Sequence, residues 1–138
     1  MSIIVQKFGG SSVASTDHIG AVADRIIAAR ERGHDIVVTV SAMGDTTSAL
    51  LERAGSVARD PSPRELDALL STGEQASAAL LSMALTQRGL PAVSLDGDQA
   101  GARTDDRHFN AGVESVDPAR IRAEPDAGRV PVGTRYQG

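Results

Sequence analysis

Residues 35–41 read DIVVTVS, apolar at nearly every position and rich in β-branched side chains. Such a run offers no polar face to water, so it is expected as a strand covered on both faces. SIIVQKF at 2–8 is a second run of this kind. Between the two, Ile19, Val22, Ala23, Ile26, Ile27 and Ala29 recur at helical spacing. Ser15, Thr16 or Asp17 can cap the start of that helix, and Gly33 sits where it should stop. Strand, helix and strand in this order imply a βαβ unit, hence a parallel pair with a crossover helix.

The rest of the chain repeats the alternation. Leu50, Leu51, Ala54 and Val57 mark a helix, and RDPSPRE breaks it and starts another carrying Leu66, Leu69 and Leu70. A fresh helix is expected from Thr72 or Gly73, running through Ala76, Leu80, Leu81, Met83 and Leu85 to a stop at Gly89. PAVSL (91–95) reads as a strand, and DGDQAGARTDDRH (96–108) as a long polar loop. GVESV suggests a short strand, PARIRAE a short helix and RVPVGT a last strand. The expected fold is α/β, a three-layer α/β/α arrangement around a mostly parallel sheet. Residues 1–138 form a single domain in this reading.

Composition narrows the function. The chain has 138 residues, 41% hydrophobic and 23% charged, the ordinary balance of a soluble globular protein. Only Phe8, Phe109 and Tyr136 are aromatic, so the core must be aliphatic. The absence of Cys excludes disulfides, thiolate metal sites and Cys nucleophiles. A net charge of −4 with dispersed Lys and Arg argues against nucleic acid or an anionic membrane as partner. No apolar run approaches the roughly 20 residues that span a bilayer. MSIIVQKF lacks the charged leader and long apolar segment of a secretion signal, so a cytoplasmic protein acting on a small molecule is expected.

Ligands of parallel sheets bind at the carboxyl ends of the strands. Three loops meet there: 7–13, 41–47 and 96–108. In KFGGSS, Gly9 and Gly10 let backbone approach a ligand, and the amides of 9–12 lead toward a helix N-terminus that favours anions. Lys7 adds a full positive charge. The set resembles an oxyanion or phosphate cradle, although paired glycines also serve a plain strand-to-helix turn. It is neither a P-loop, whose Lys follows the glycines, nor a G-x-G-x-x-G turn. SAMGDTT offers the hydroxyls of Ser41, Thr46 and Thr47 around Gly44, with helix capping by Asp45 or Thr46 as the competing use. Glu74, in the first turn of the helix expected at STGEQ, either caps that helix or accepts from a ligand's ammonium group. His18, His34 and His108 show no metal-ligand spacing, and no metal site is expected.

The order of these motifs carries a resemblance. VQKFGGSSV, VVTVSAMGDTTSALL, LLSTGEQASAALLSMAL, SLDGDQAGARTDDRH and YQG resemble, in sequence and spacing, the amino-terminal part of aspartate kinases in the amino acid kinase family. The likeness runs over essentially the whole chain. It implies a truncated amino acid kinase-like fold and transfer of the γ-phosphoryl of ATP to L-aspartate, giving 4-phospho-L-aspartate. That is the entry step to lysine, threonine and methionine. A carboxylate acceptor with a pKa of about 3.9 is already ionised at neutral pH, so no general base is needed. Catalysis then rests on positioning and charge neutralisation.

By the resemblance, Lys7 is catalytic and contacts the transferring phosphate, with Gly9, Gly10 and Ser11 beside it. Ser41 and Thr47 lie on the substrate side, and Glu74 holds the aspartate ammonium. Mg²⁺ accompanies ATP. The chain stops at YQG, before the family segment that supplies the carboxylate-binding arginine and most of the nucleotide pocket. Arg135 replaces a family glycine, and Asp96 stands where threonine is frequent. Three readings stay open: an aspartate kinase seen as its substrate-side part and inactive alone, a non-catalytic binding or subunit-pairing module, or an amino acid kinase acting on a different carboxylate, carbamate or phosphonate, which the STGEQ and SAMGDTT loops disfavour. Homo-oligomerisation or pairing with another chain is expected from a sheet that ends early.

Overall fold

The structure is a computed structural model that describes residues 3–95, 102–104, 113–116, 123–125 and 128–134. The element order is β1 (Ile3–Phe8), α1 (Thr16–Glu31), β2 (Asp35–Val40), α2 (Thr46–Val57), α3 (Pro63–Gln87), β3 (Ala92–Leu95), β4 (Ala102–Thr104), β5 (Val113–Val116) and β6 (Val130–Thr134). Four strands form one sheet in the order β1-β2-β6-β3. Every pairing in it is parallel. The last strand therefore inserts between β2 and β3, a placement no local pattern could announce. The expected α/β class with a mostly parallel sheet is what the chain adopts.

Helix ends follow the chemistry of their caps. The Ser15 side chain accepts from the His18 amide at 3.3 Å and starts α1. α1 stops where Gly33 turns to φ +89°. Ser62 accepts from the Glu65 amide at 3.3 Å, and Pro63, whose fixed φ suits a first helical position, opens α3. α3 then runs unbroken to Gln87, correcting the expected restart at Thr72 or Gly73. The hydroxyls of Ser71 and Thr72 donate back to the carbonyls of Ala68 (2.8 Å) and Leu69 (2.6 Å) inside the helix instead of capping a new one. One interior glycine costs only about 1 kcal/mol, too little to break a helix flanked by strong helix formers.

The core is one aliphatic cluster. Ile19, Val22 and Ile26 of α1 and Ala78, Leu81 and Leu85 of α3 pack over Ile36, Val38 and Val40 of β2, Val130 and Val132 of β6, and Phe8. α1 and α3 also pack on each other, so they share one side of the sheet. β2 is buried at Ile36, Val38 and Val40, while Asp35, Val37 and Thr39 are half-buried. Val5 on the neighbouring strand is 67% exposed. Among the described residues, only one face of this sheet carries packed helices. The cover on both faces expected from DIVVTVS is not seen there.

The loop expected at 96–108 contains a strand. Ala102–Thr104 pairs antiparallel with Val113–Val116, with an irregularity between Arg103 and Thr104. A three-residue polar strand has no periodicity to read, and its existence depends on a partner farther along the chain. The short strand expected at GVESV is present as β5. Residues 123–125 take a helical turn. The remainder of the expected 118–124 helix lies outside the described residues, as do Asp96, His108, Phe109, Arg135 and the YQG end.

Candidate functional site

The parallel register sets the site. Lys7 is level with Thr39 and Phe8 with Val40, so β1 and β2 end side by side and their loops leave the sheet together. The Ser41 amide donates to the Phe8 carbonyl at 3.1 Å, and the Gly44 amide donates to the Gly10 carbonyl at 2.9 Å. Two of the three loops expected to share a rim, 7–13 and 41–47, are thus bonded backbone to backbone, while most of 96–108 lies outside the described residues.

The two glycines of KFGGSS have different uses. A Cβ on Gly10 would stand 3.1 Å from the carbonyl oxygens of both Ala42 and Gly44. Its bareness serves the neighbouring loop, a use that KFGGSS alone does not announce. Around Gly9, nothing among the described residues lies within 4 Å of the Cβ position. Gly9 is therefore the glycine that leaves backbone open to an approaching group.

The amides are also divided. Ser12 donates to the Gly9 carbonyl at 3.0 Å and Val13 to the Gly10 carbonyl at 3.3 Å, closing a turn ahead of α1. The amides of 9–12 lie in that turn and outside the first turn of α1, which starts at Thr16 under its own cap. Ser12's amide belongs to the turn. Gly44 is held at φ +48°, a conformation that suits glycine. Asp45 occupies the cap position of α2 but makes no side-chain cap bond, and the Thr46 amide donates to the Met43 carbonyl at 2.9 Å. Ser41 and Thr47, on either side of this turn, are half-buried.

α3 closes the rim from the helical side. A Cβ on Gly73 would meet Thr46 Cγ2 at 3.1 Å and Ala42 Cβ at 3.2 Å, so the helix touches the 41–47 loop almost backbone to side chain. Glu74, the next residue, is 1% exposed. It lies in the interior of α3, so the helix-terminal dipole expected to stabilise it is not the reason it sits there. Asp67 (4% exposed), Ser71, Glu74 and Ser77 continue as a buried polar stripe along α3. Asp67 and Glu74 both make polar interactions in the fold. Sequence reasoning missed Asp67, although its spacing of seven from Glu74 puts both carboxylates on one helix face.

Lys7 is exposed while Phe8 is buried, and successive strand residues point to opposite faces. Lys7 therefore leaves the sheet on the side away from α1 and α3. Phe8 points into the core, with the Arg25 guanidinium 5.5 Å from its ring centre. The structure places Gly9, Gly10, Ser11 and Ser41 in loops bonded at one rim, Thr47 in the first turn of α2, Gly73 against the 41–47 loop with Glu74 as its neighbour in sequence, and Lys7 on the other face of the same strand tip. No group of three or more His, Cys, Asp or Glu able to hold a metal ion occurs among the described residues. No helix among them is long and apolar enough to cross a membrane.

A parallel sheet with glycine-bearing loops gathered at its carboxyl rim defines an α/β protein of the class whose ligands bind at that rim. The chain belongs to the amino acid kinase family, whose model matches residues 2–138. It is 50% identical to the aspartokinase of Geobacillus stearothermophilus over its whole length, which is 34% of that protein. It is 49% identical to the aspartokinase of Pseudomonas aeruginosa, again over the whole chain and 34% of the relative. The chain thus spans about a third of the length of these curated relatives. The crystal structure of aspartate kinase from Synechocystis superposes with a TM-score of 0.84 at 41% identity, covering 96% of this chain and 21% of that one. E. coli aspartokinase III in complex with aspartate and ADP (R-state) gives a TM-score of 0.70 at 22% identity over 96% and 40% of the two chains, a likeness of fold.

Proposed function

We propose that residues 1–138 form the substrate-side part of an aspartate kinase catalytic domain. In this reading the rim binds L-aspartate: Glu74 receives the ammonium group, and Ser41 and Thr47 hold it by their hydroxyls. Lys7, with the backbone of Gly9, Gly10 and Ser11, faces the γ-phosphate of ATP, which arrives with Mg²⁺ as the second substrate. A carboxylate oxygen of aspartate attacks the γ-phosphorus, the bond to ADP breaks, and 4-phospho-L-aspartate results. No proton has to be removed from the acceptor, so the residues supply position and positive potential instead of a base.

The observation that carries the reading is the joining of three elements at one place. The β1 loop is tied to the β2 loop through Gly10 and Gly44, and that loop meets α3 at Gly73, beside Glu74. The high identity to aspartokinases supports L-aspartate as the substrate. Because the chain spans about a third of those relatives, the proposal for the isolated chain is binding without efficient turnover. Association with a second copy or another chain to complete a catalytic unit belongs to the same proposal, as does a cytoplasmic location.

The test is acyl phosphate formation from MgATP and L-aspartate, trapped as the hydroxamate, together with calorimetric titration of L-aspartate. Measurable aspartate binding with little or no hydroxamate is expected. Robust turnover by the purified chain would overturn the division between binding and catalysis, and absence of aspartate binding would overturn the substrate assignment.

A further inference from the structure

We infer that Gly73 is a positioning residue: its missing side chain sets the depth at which α3 meets the 41–47 loop, and so the place of Glu74 relative to Ser41 and Thr47. What Glu74 does rests on the substrate reading above; what Gly73 does rests on geometry alone.

Glycine inside a helix is unfavourable by about 1 kcal/mol relative to alanine, so an interior glycine asks for a reason. α3 gives none of its own. The helix neither ends nor caps at Gly73, and Gly73 is not among the residues of positive φ. Gly55, inside α2, has nothing within 4 Å of its Cβ position among the described residues. At Gly73 the same position is crowded by Thr46 Cγ2 (3.1 Å), Ala42 Cβ (3.2 Å) and Leu50 Cδ1 (3.4 Å).

The three neighbours differ in how far they can yield. Leu50 Cδ1 ends a flexible side chain, and the Thr46 methyl turns about a single bond. Ala42 Cβ is fixed to the backbone, and Ala42 is buried. Its loop cannot retreat freely, because on the β1 side the Ser41 amide is bonded to the Phe8 carbonyl (3.1 Å) and the Gly44 amide to the Gly10 carbonyl (2.9 Å). The 41–47 loop is therefore held between two residues without side chains. A methyl group at 73 must move the loop or the helix by a few tenths of an ångström. That movement passes directly to Glu74 along the helix and to Ser41 along the loop.

The variants are Gly73→Ala and the triple combination of Gly73→Ala with Ala42→Gly and Thr46→Ser, which removes the two atoms nearest the new methyl. Amide NMR spectra report the 41–47 loop, and calorimetry reports L-aspartate affinity per folded molecule. Gly73→Ala is expected to shift the loop amides while leaving those of Ile36–Val38 in place, and to weaken aspartate binding about tenfold. The triple variant is expected to restore the loop pattern and to bring affinity within about threefold of the parent, since coupled neighbours compensate. A residue that only supported folding would change the folded fraction and leave affinity per folded molecule alone. Unchanged loop amides and affinity in Gly73→Ala overturn the inference. Should Gly73→Ala fail to fold, the double variant Gly73→Ala with Thr46→Ser, which keeps the Ala42 contact, is read in its place: shifted loop amides with weakened affinity support the inference, while parent-like amides and affinity, or failure of this variant to fold as well, overturn it. Where the parent itself binds no aspartate, the substrate reading fails by that result, and the amide pattern with its rescue still decides the role of Gly73.

Discussion

The amide of Gly44 donates to the carbonyl of Gly10 at 2.9 Å, and this bond ties the turn after β1 to the turn after β2. It makes the adjacent glycines of KFGGSS unequal. Gly10→Ala forces a Cβ to within 3.1 Å of two carbonyl oxygens that are themselves anchored in backbone. A loss of about 1–3 kcal/mol is expected, typical of overpacking. Gly9→Ala meets open space and should stay within about 0.5 kcal/mol of the parent. Urea unfolding of the two variants decides this, and equal losses would contradict the division of labour between them.

Leu81 is fully buried where α3 packs over the sheet, inside the single aliphatic cluster. Leu81→Ala removes its contacts and leaves a cavity, at an expected cost of about 2–5 kcal/mol. Met83, two residues on and 64% exposed, should tolerate alanine within about 0.5 kcal/mol. Denaturant midpoints measure both.

Ser62 and Pro63 start α3 by cap and by fixed φ. Ser62→Ala leaves the Glu65 amide without its side-chain acceptor and is expected to cost about 1 kcal/mol. Ser62→Gly should cost only a few tenths of a kcal/mol, about the penalty glycine shows at this position. Thermal melts of the pair test whether α3 begins where the structure has it.

Glu74→Gln keeps the shape of a buried side chain and removes its charge. If Glu74 receives the ammonium group of L-aspartate, affinity for L-aspartate should fall by at least tenfold, as expected when a charge-assisted hydrogen bond is lost. Affinity for succinate, which lacks the ammonium group, should change little. Calorimetry with both ligands checks this, and parallel losses would show that Glu74 acts through the fold instead of through the ligand.

Much of this was legible in the sequence, for physical reasons that can be named. SIIVQKF and DIVVTVS are β-branched runs around a helix-period stretch, and that pattern survives any tertiary context. Ser15, Gly33 and the Ser62–Pro63 pair act within a few residues of themselves, so the ends of α1 and the start of α3 could be read locally. The rim location of 7–13 and 41–47 followed from strand polarity alone. Gly73 was misread because a glycine beside a threonine looks like a helix boundary, whereas its cause is Ala42 across the loop. The packing use of Gly10 was hidden for the same reason: the atoms nearest its Cβ position belong to Ala42 and Gly44. β4 escaped notice because Ala102–Thr104 is a strand only by virtue of Val113–Val116. The interior site of β6 is a matter of topology, which no local window contains.

The tips of β1 and β2 and the buried Glu74 of α3 are proposed to form one site for L-aspartate. An amide NMR titration of the 138-residue chain with L-aspartate tests it most directly. Saturable shifts clustered at Gly9–Ser11, Ser41–Thr47 and Glu74, lost in Glu74→Gln, are expected. Shifts absent from these residues, or centred on the far end of the sheet around Asp35 and Arg129, would contradict it.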